Sequence, residues 1–328
     1  MAVLVTGGAG YIGSHMVYAL SDRGEDVVVL DNLSTGFEWA ISPKAKLVVG
    51  DIGDMELAGR IITGHGVDAI INFAGSIIVP ESVENPLKYY HNNTSNTRNL
   101  MEAAVKAGVP HFIFSSSAAV YGIPEVNPAF EDARLDPINP YGRSKLMTEW
   151  MLQDVSRAHP MTHVALRYFN VAGADPQGRT GQSTPQATHL IKVAAQTALG
   201  QRKEMHVFGT DYDTPDGTCI RDYIHVTDLV AAHLDALDYL REGGESTVFN
   251  CGYGKGYSVL EVIDAVRRAA GHDFPVVMSG RRAGDPPALV AGADKIRKEL
   301  GWRPEHADLD EIVQSAYAWE KHLMSRNA

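Results

Sequence analysis

Short runs of β-branched and aliphatic residues recur through the first half of the chain, at Val3–Thr6, Val27–Leu30, Leu47–Val49, Ala69–Phe73, Phe112–Ser115 and Val164–Leu166. Between them lie stretches with helical spacing of apolar residues, near 12–23, 54–63, 92–107 and 141–158. Apolar runs without polar alternation belong to strands covered on both faces. Their alternation with helices predicts right-handed βαβ units. The expected fold is therefore α/β, with a doubly wound, Rossmann-type parallel sheet. In the 92–107 stretch, Leu100, Ala103, Ala104 and Ala107 form a core stripe, and Gly108 and Pro110 end it. Helix 141–158 carries Leu146, Met147, Trp150, Met151 and Val155, a surface that suits either the core or a second subunit.

The pattern changes after about residue 170. Residues 171–187, rich in Gly, Pro, Gln and Thr, read as loop. Shorter, less regular elements follow, with helices expected near 186–199, 227–241, 258–270, 293–300 and 308–324. The expectation is a sheet domain over 1–170 and a smaller C-terminal substrate domain over 171–328, some segments of which return to the large sheet.

Composition narrows the function. The 328 residues are 45% hydrophobic and 21% charged, as in an ordinary globular protein. A formal net charge of −11 argues against nucleic acid as a partner, since sequence-independent binding needs a Lys/Arg surplus. No apolar run approaches the ~18 residues of a membrane span. A strand-like run starts at Ala2 with no basic leader before it, so a cytoplasmic location is expected. Cys219 and Cys251 have no redox or metal spacing, and the His residues are scattered, so neither a disulfide framework nor a metal site is expected.

Two motifs carry chemistry. Val3-Leu-Val-Thr-Gly-Gly-Ala-Gly-Tyr-Ile-Gly13 is a strand, a loop with Gly7, Gly10 and Gly13, and a helix start. Such a loop lets the backbone approach a pyrophosphate, and the helix N-terminus supplies amides and a positive dipole end. The second strand ends in Asp31, eighteen residues after Gly13, where an acid can bind the adenosine ribose. Asp31 would repel a 2′-phosphate, so NAD is favoured over NADP. Asp51 is placed either to reach the adenine or to serve as an ordinary turn residue.

In the second motif, Tyr141-Gly-Arg-Ser-Lys145 puts a phenol and an ammonium on one helical face. A nearby Lys⁺ and a positive nicotinamide favour the phenolate, which can then act as a base. Ser115-Ser-Ser117 ends the fifth predicted strand, where ligands sit in this architecture, and a Ser hydroxyl there can bridge substrate and Tyr141.

These motifs in this order resemble the extended short-chain dehydrogenase/reductase family, and within it the enzymes that epimerise UDP-sugars at C4. The likeness runs from Ala2 to the last helix. It rests on Thr6-Gly-Gly-Ala-Gly-Tyr-Ile-Gly-Ser-His15, Phe112-Ile-Phe-Ser-Ser-Ser-Ala-Ala-Val-Tyr-Gly122, Tyr141–Lys145, Arg167-Tyr-Phe-Asn170, Gly217-Thr-Cys-Ile-Arg-Asp-Tyr-Ile-His-Val226 and Arg281-Arg-Ala-Gly-Asp285. The resemblance implies interconversion of UDP-glucose and UDP-galactose through a 4-keto sugar, on an NAD that stays bound, in a homodimer. It implies Tyr141, Lys145 and Ser117 as catalytic residues. Around NAD it implies, with the loop glycines, Tyr11, Ile12, Asp31, Asn32, Leu33, Ser34, Thr35, Gly36, Asp51, Ile52, Phe73, Ala74, Gly75, Ser76, Ile77, Asn92, Ser115, Tyr141, Lys145, Tyr168 and Phe169. Around the UDP-sugar it implies Ser117, Tyr141, Asn170, His189, Leu190, His206, Val207, Phe208, Arg221, Tyr223, Arg282, Asp285 and Leu289. On composition alone, Arg221 would instead pair with Asp222 or Asp228, and Arg281 and Arg282 would be a solvated loop.

Three positions depart from the family pattern. Ile77 stands where many members have Lys, His189 where many have Asn, and Leu289 where a bulky Tyr goes with plain hexoses. Alternatives on the same scaffold are an N-acetylhexosamine, pentose or uronate 4-epimerase, a dehydratase or decarboxylase, and a non-catalytic nucleotide sensor. Ser116-Ser-Ala-Ala-Val120 lacks the acid/base pair that a dehydratase needs. Retention of Ser117, Tyr141 and Lys145 argues against a sensor.

Overall fold

Parallel strands β1 (Ala2–Thr6), β2 (Asp26–Asp31), β3 (Lys46–Val49), β4 (Val67–Asn72), β5 (His111–Ser117) and β6 (Thr162–Tyr168) build the central sheet. The computed structural model describes residues 1–184, 187–282 and 285–326. The sheet is completed by a seventh strand from the second half, β10 (Thr247–Cys251), in the order β10-β6-β5-β4-β1-β2-β3. β1 and β4 are buried along their whole length, which is why they read as unbroken apolar runs. One apolar cluster lies on each face of the sheet.

Helices α1 (Tyr11–Asp22), α2 (Met55–His65), α5 (Asn96–Ala107) and α6 (Pro140–Ala158) fall where the spacing predicts them. Leu100, Ala103 and Ala104 of the α5 stripe are buried. Two short helices, α3 (Val79–Glu84) and α4 (Pro86–Tyr89), were not expected; Pro80 and Pro86 sit in their first turns, where a missing N–H costs nothing. A π-helical turn, Tyr90–Ser95, joins α4 to α5.

The second half is a set of small pieces. β7 (Asn170–Ala172) pairs with β9 (Ile220–His225), which is flanked by β11 (Gly256–Ser258) and β13 (Ala288–Leu289). β8 (Met205–Phe208) pairs with β12 (Val276–Ser279). The helices are α7 (Leu190–Ala198), α8 (Val226–Arg241), α9 (Val259–Ala270), α10 (Asp294–Glu299) and α11 (Leu309–Arg326). Residue 186, the expected start of α7, lies outside the described residues. β10 and α8 return to the large sheet, α8 packing on β5 and β6. Both cysteines are free and buried, and no described helix is long and apolar enough to cross a membrane.

Candidate active site

The carboxyl ends of β1, β4, β5 and β6 meet at one rim of the sheet. At β1 the turn is made by Gly7 (φ +69°), where a Cβ would lie 2.6 Å from the Ala74 amide nitrogen. A Cβ on Gly13 would sit 2.1 Å from the Gly7 carbonyl oxygen, so strand, turn and helix close up only with glycine here. Gly10 opens α1 without a side-chain cap. The first amides of the helix therefore lack in-helix partners and are available to an anion. Asp31 braces the loop, its carboxylate accepting Ala9 N at 2.9 Å and Leu33 N at 2.8 Å. Asp51 accepts Asn32 Nδ2 at 3.1 Å, Gly53 N at 2.8 Å and Asn96 Nδ2 at 3.0 Å, so the turn role is filled beside the second strand end. Ser34 and Thr35 are exposed, Gly36 lies against Ala9, and Ile52 is buried.

Beyond β4, Phe73, Ala74, Gly75 and Ser76 form a half-buried shelf. Asn93 holds it, accepting Ser76 N at 2.7 Å and donating to Ser76 O at 2.9 Å, while Asn92 Nδ2 donates to Ser76 Oγ at 2.9 Å. Ile77 is 52% exposed, an apolar side chain with no polar group to offer there. Tyr11 is turned away, its hydroxyl donating to Gly173 O at 2.7 Å, which ties α1 to the second half of the chain. Ile12 and Phe169 are partly buried against the core.

The reacting pair is carried by α6. Asn139 caps it, accepting Gly142 N at 2.8 Å, and Pro140 starts it. Lys145, 3% exposed, donates from Nζ to Ser115 O at 2.7 Å and lies 4.9 Å from the Phe114 ring centre and 6.0 Å from that of Tyr141. Burial pulls its ammonium down to about 8. Burial also pushes the Tyr141 phenol up, and the Ser117 hydroxyl opposes that rise. Tyr168, register partner of Ser117, has a buried hydroxyl with no partner among the described residues.

The other half of the site follows from β7 and β9. Asn170 pairs with Tyr223, and Asn170 opposes the upward push of burial on the Tyr223 phenol. Arg221, two residues earlier on β9, is in register with Leu289 of β13. Arg221 Nη1 donates to Ile220 O at 2.8 Å, and Nη2 is 3.8 Å from Asp285. Its sequence neighbours are engaged elsewhere: Asp222 accepts the amides of Tyr253, Gly254 and Ala291, and Asp228 those of Glu305 and His306. Leu289 packs beside Ala118, Val120, Tyr121 and Leu146, next to the Ser117 strand end. His206 and Phe208 are exposed on β8, with the Arg282 guanidinium 4.1 Å from the Phe208 ring centre. Val207 is 0% exposed, since alternation along β8 turns it into the core, so it can offer a ligand only its backbone. His189 is exposed at the head of α7, 3.4 Å from Gln182, and Leu190 is half-buried.

Three polar residues with evident roles carried no assignment from the sequence. Asn93 holds the shelf, and Glu149 and Arg167 form a buried ion pair beneath Lys145, with Nη2 to Oε2 at 2.6 Å. One signal was there: Tyr141, Lys145 and Glu149 recur every four residues along one helical face. Among the described residues no group of His, Cys, Asp and Glu is placed to hold a metal.

A glycine loop, an acid after β2, and a Tyr–Lys pair against a serine-ended strand together suit a dinucleotide cofactor. The chain belongs to the NAD dependent epimerase/dehydratase family, whose pattern matches residues 3–252. It is 60% identical over 321 residues to the UDP-glucose 4-epimerase of Azospirillum brasilense, covering 98% of this chain and 92% of that one. The solved UDP-glucose 4-epimerase of Bifidobacterium longum in complex with NAD⁺ and UDP superposes with a TM-score of 0.94 at 42% identity, covering 98% of each chain. The UDP-Glc/GlcNAc 4-epimerase of Campylobacter jejuni superposes at 0.86 with 51% identity, covering 98% of this chain and 99% of that one.

Proposed function

We propose that the protein interconverts UDP-glucose and UDP-galactose by inverting C4 of the hexose, with NAD as a resident cofactor. The observation that carries this is the convergence of Tyr141, Lys145 and Ser117 at the strand ends, with Leu289 packed against the cluster of their chain neighbours Ala118 and Leu146 and in register with Arg221. The residues fit the cofactor. The uncapped α1 suits a pyrophosphate, and Asp31 suits a ribose without a 2′-phosphate. Bound there, NAD would supply a reversible hydride acceptor for C4.

Tyr141 takes the proton of the 4-hydroxyl and later returns it, with Ser117 holding the same oxygen. Lys145 supplies the positive charge that favours the phenolate. Inversion requires the sugar to present its other face while UDP stays fixed. Arg221 and Arg282 supply the diphosphate grip, and Asn170, Asp285, His189, Leu190 and the β8 edge hold the uridine end. The division of labour is a cofactor domain over 1–170 and a UDP-sugar domain over 171–328, with β10 and α8 lent back to the sheet. A homodimer fits the exposed Trp150 of α6 (53%).

The test is purified protein given UDP-glucose with no added cofactor, read by product stereochemistry. UDP-galactose is the expected product; no epimer from folded, NAD-containing protein would overturn the reading. A second reading, acceptance of N-acetylated hexoses as well, is favoured by Leu289, which is smaller than the Tyr it replaces.

A further inference from the structure

One turn further along α6 than Lys145, the Glu149 carboxylate lies 1% exposed. It accepts Arg167 Nε at 2.9 Å and Nη2 at 2.6 Å, and Ser116 Oγ donates to it as well. Ser116 and Arg167 face each other in the register of β5 and β6, so the clamp is built into the sheet. The remaining Arg167 nitrogen, Nη1, donates to the Tyr121 hydroxyl at 3.0 Å and to Glu131 O at 3.2 Å. An apolar pair of similar volume would usually be at least as stable in such a place. Its position under the reacting pair therefore asks for a functional account.

We propose that Glu149 is a positioning residue for the reaction: clamped by Arg167 and Ser116, its carboxylate keeps Lys145 an ammonium and so keeps Tyr141 able to act as the base. This rests on the epimerase reading above and deepens it. The surroundings of Lys145 support the assignment. On its own helix Tyr141 lies one turn before it, with the ring centre 6.0 Å from Nζ, and Glu149 lies one turn after it, held by Ser116, the strand neighbour of the Ser115 to which Lys145 donates. From β5 it meets the Phe114 ring and the Ser115 carbonyl. β6 brings Tyr168 and, behind Glu149, Arg167. The shelf and the π-helical turn bring only Gly75 and the neutral Asn93. Tyr89 of α4 faces Tyr141, and Glu81 behind it is paired with Lys88. Glu149 is thus the carboxylate set against Lys145, and it opposes the fall that burial imposes on the ammonium. Without it Lys145 loses its proton at lower pH, and the phenolate loses its support.

The experiment measures epimerisation against pH for holoenzyme of the wild type, Glu149→Gln and Glu149→Asp, with thermal unfolding in parallel. A near-ultraviolet titration of the Tyr141 phenolate, taken as the difference from each Tyr141→Phe counterpart, needs no substrate. Glu149→Gln should bring the alkaline limb down by about one pH unit, a loss of about tenfold on that limb, and move the phenolate midpoint up. Glu149→Asp, which keeps the charge, should keep the wild-type limb even if it unfolds earlier. A uniform loss at every pH with limb and midpoint unmoved would leave Glu149 a structural residue and overturn the proposal. If Glu149→Gln does not fold, Glu149→Gln/Arg167→Met removes both charges; its phenolate midpoint must still rise, and an unmoved midpoint overturns the proposal. Wild-type protein that makes no epimer would sink the epimerase reading instead, and the phenolate titration would still decide this one.

Discussion

The cofactor rim and the UDP-sugar rim are built by opposite means. On the first, the rim proposed for the cofactor, the backbone sets the surface: glycine contacts too tight for a Cβ, an uncapped helix, and an acid that braces its own loop. These parts come from consecutive βα units, so their geometry follows from the sheet. On the second, the rim proposed for the UDP-sugar, side chains set the surface, and they come from β7, β8, β9, β13 and a loop. Arg282 lies over an exposed Phe208, and the nearest carboxylate to Arg221, on Asp285, is 3.8 Å away. A rigid rim suits a group that stays bound; a rim of long side chains suits a ligand whose sugar must turn over while its diphosphate is held.

Tyr141→Phe should break the division most sharply, because Tyr141 stands where the two rims meet and is the proposed base. Loss of the base should cost about 10²–10⁴-fold in turnover while NAD and UDP still bind. Near-normal rates would place the base elsewhere. Gly13→Ala attacks the rigid rim. Its methyl meets the Gly7 carbonyl oxygen at 2.1 Å, so overpacking should cost about 1–3 kcal/mol and empty the protein of NAD. Purification with full cofactor and an unchanged melting temperature would contradict the close-approach argument.

The open rim should yield more gently. Arg221→Ala removes a half-buried guanidinium and should weaken UDP binding by about 10–100-fold, in line with ~1.5–3 kcal/mol for a hydrogen bond to a charged group. Arg282→Ala removes an exposed one stacked on Phe208 and should cost less, about tenfold or below. Titration calorimetry with UDP orders the two; an inverted order would mean that the diphosphate lies nearer the β8 edge than the β9 strand.

The same contrast explains what was legible in the sequence. Gly7, Gly10, Gly13, Asp31, Tyr141 and Lys145 act through local spacing, and a one-dimensional pattern carries local spacing. Thr247–Cys251 was missed because it is a short edge strand, only half covered at its start, far along the chain from its neighbour β6. α3 and α4 were missed because proline reads as a breaker until its place in the first turn is known. Arg221 could be read as pairing with Asp222 because neighbours in sequence are visible and Asp285 across a sheet is not. Glu149 carried a signal in its four-residue step, but its partner Arg167 lies on another element, so the pair exists only once β5 and β6 align Ser116 with Arg167.

The smallest expected effect is also the most selective. Leu289 sits in β13 opposite Arg221, packed against Ala118, Val120, Tyr121 and Leu146, so it is fixed by the core on one side, and the proposed function sets the sugar on the other. Leu289→Tyr adds bulk on the sugar side without touching Tyr141, Lys145 or the glycine loop. Plain hexoses should lose no more than a few-fold in kcat/KM. An N-acetylated hexose, with extra volume at C2, should lose about tenfold or more, the ~1–3 kcal/mol typical of a small group forced into a filled pocket. Both substrates share C4, the diphosphate and uridine, so only a contact near C2 can separate them. Equal losses on the two would show that Leu289 acts through packing against Tyr121 and Leu146, and that the open rim does not set its limit at C2 from β13.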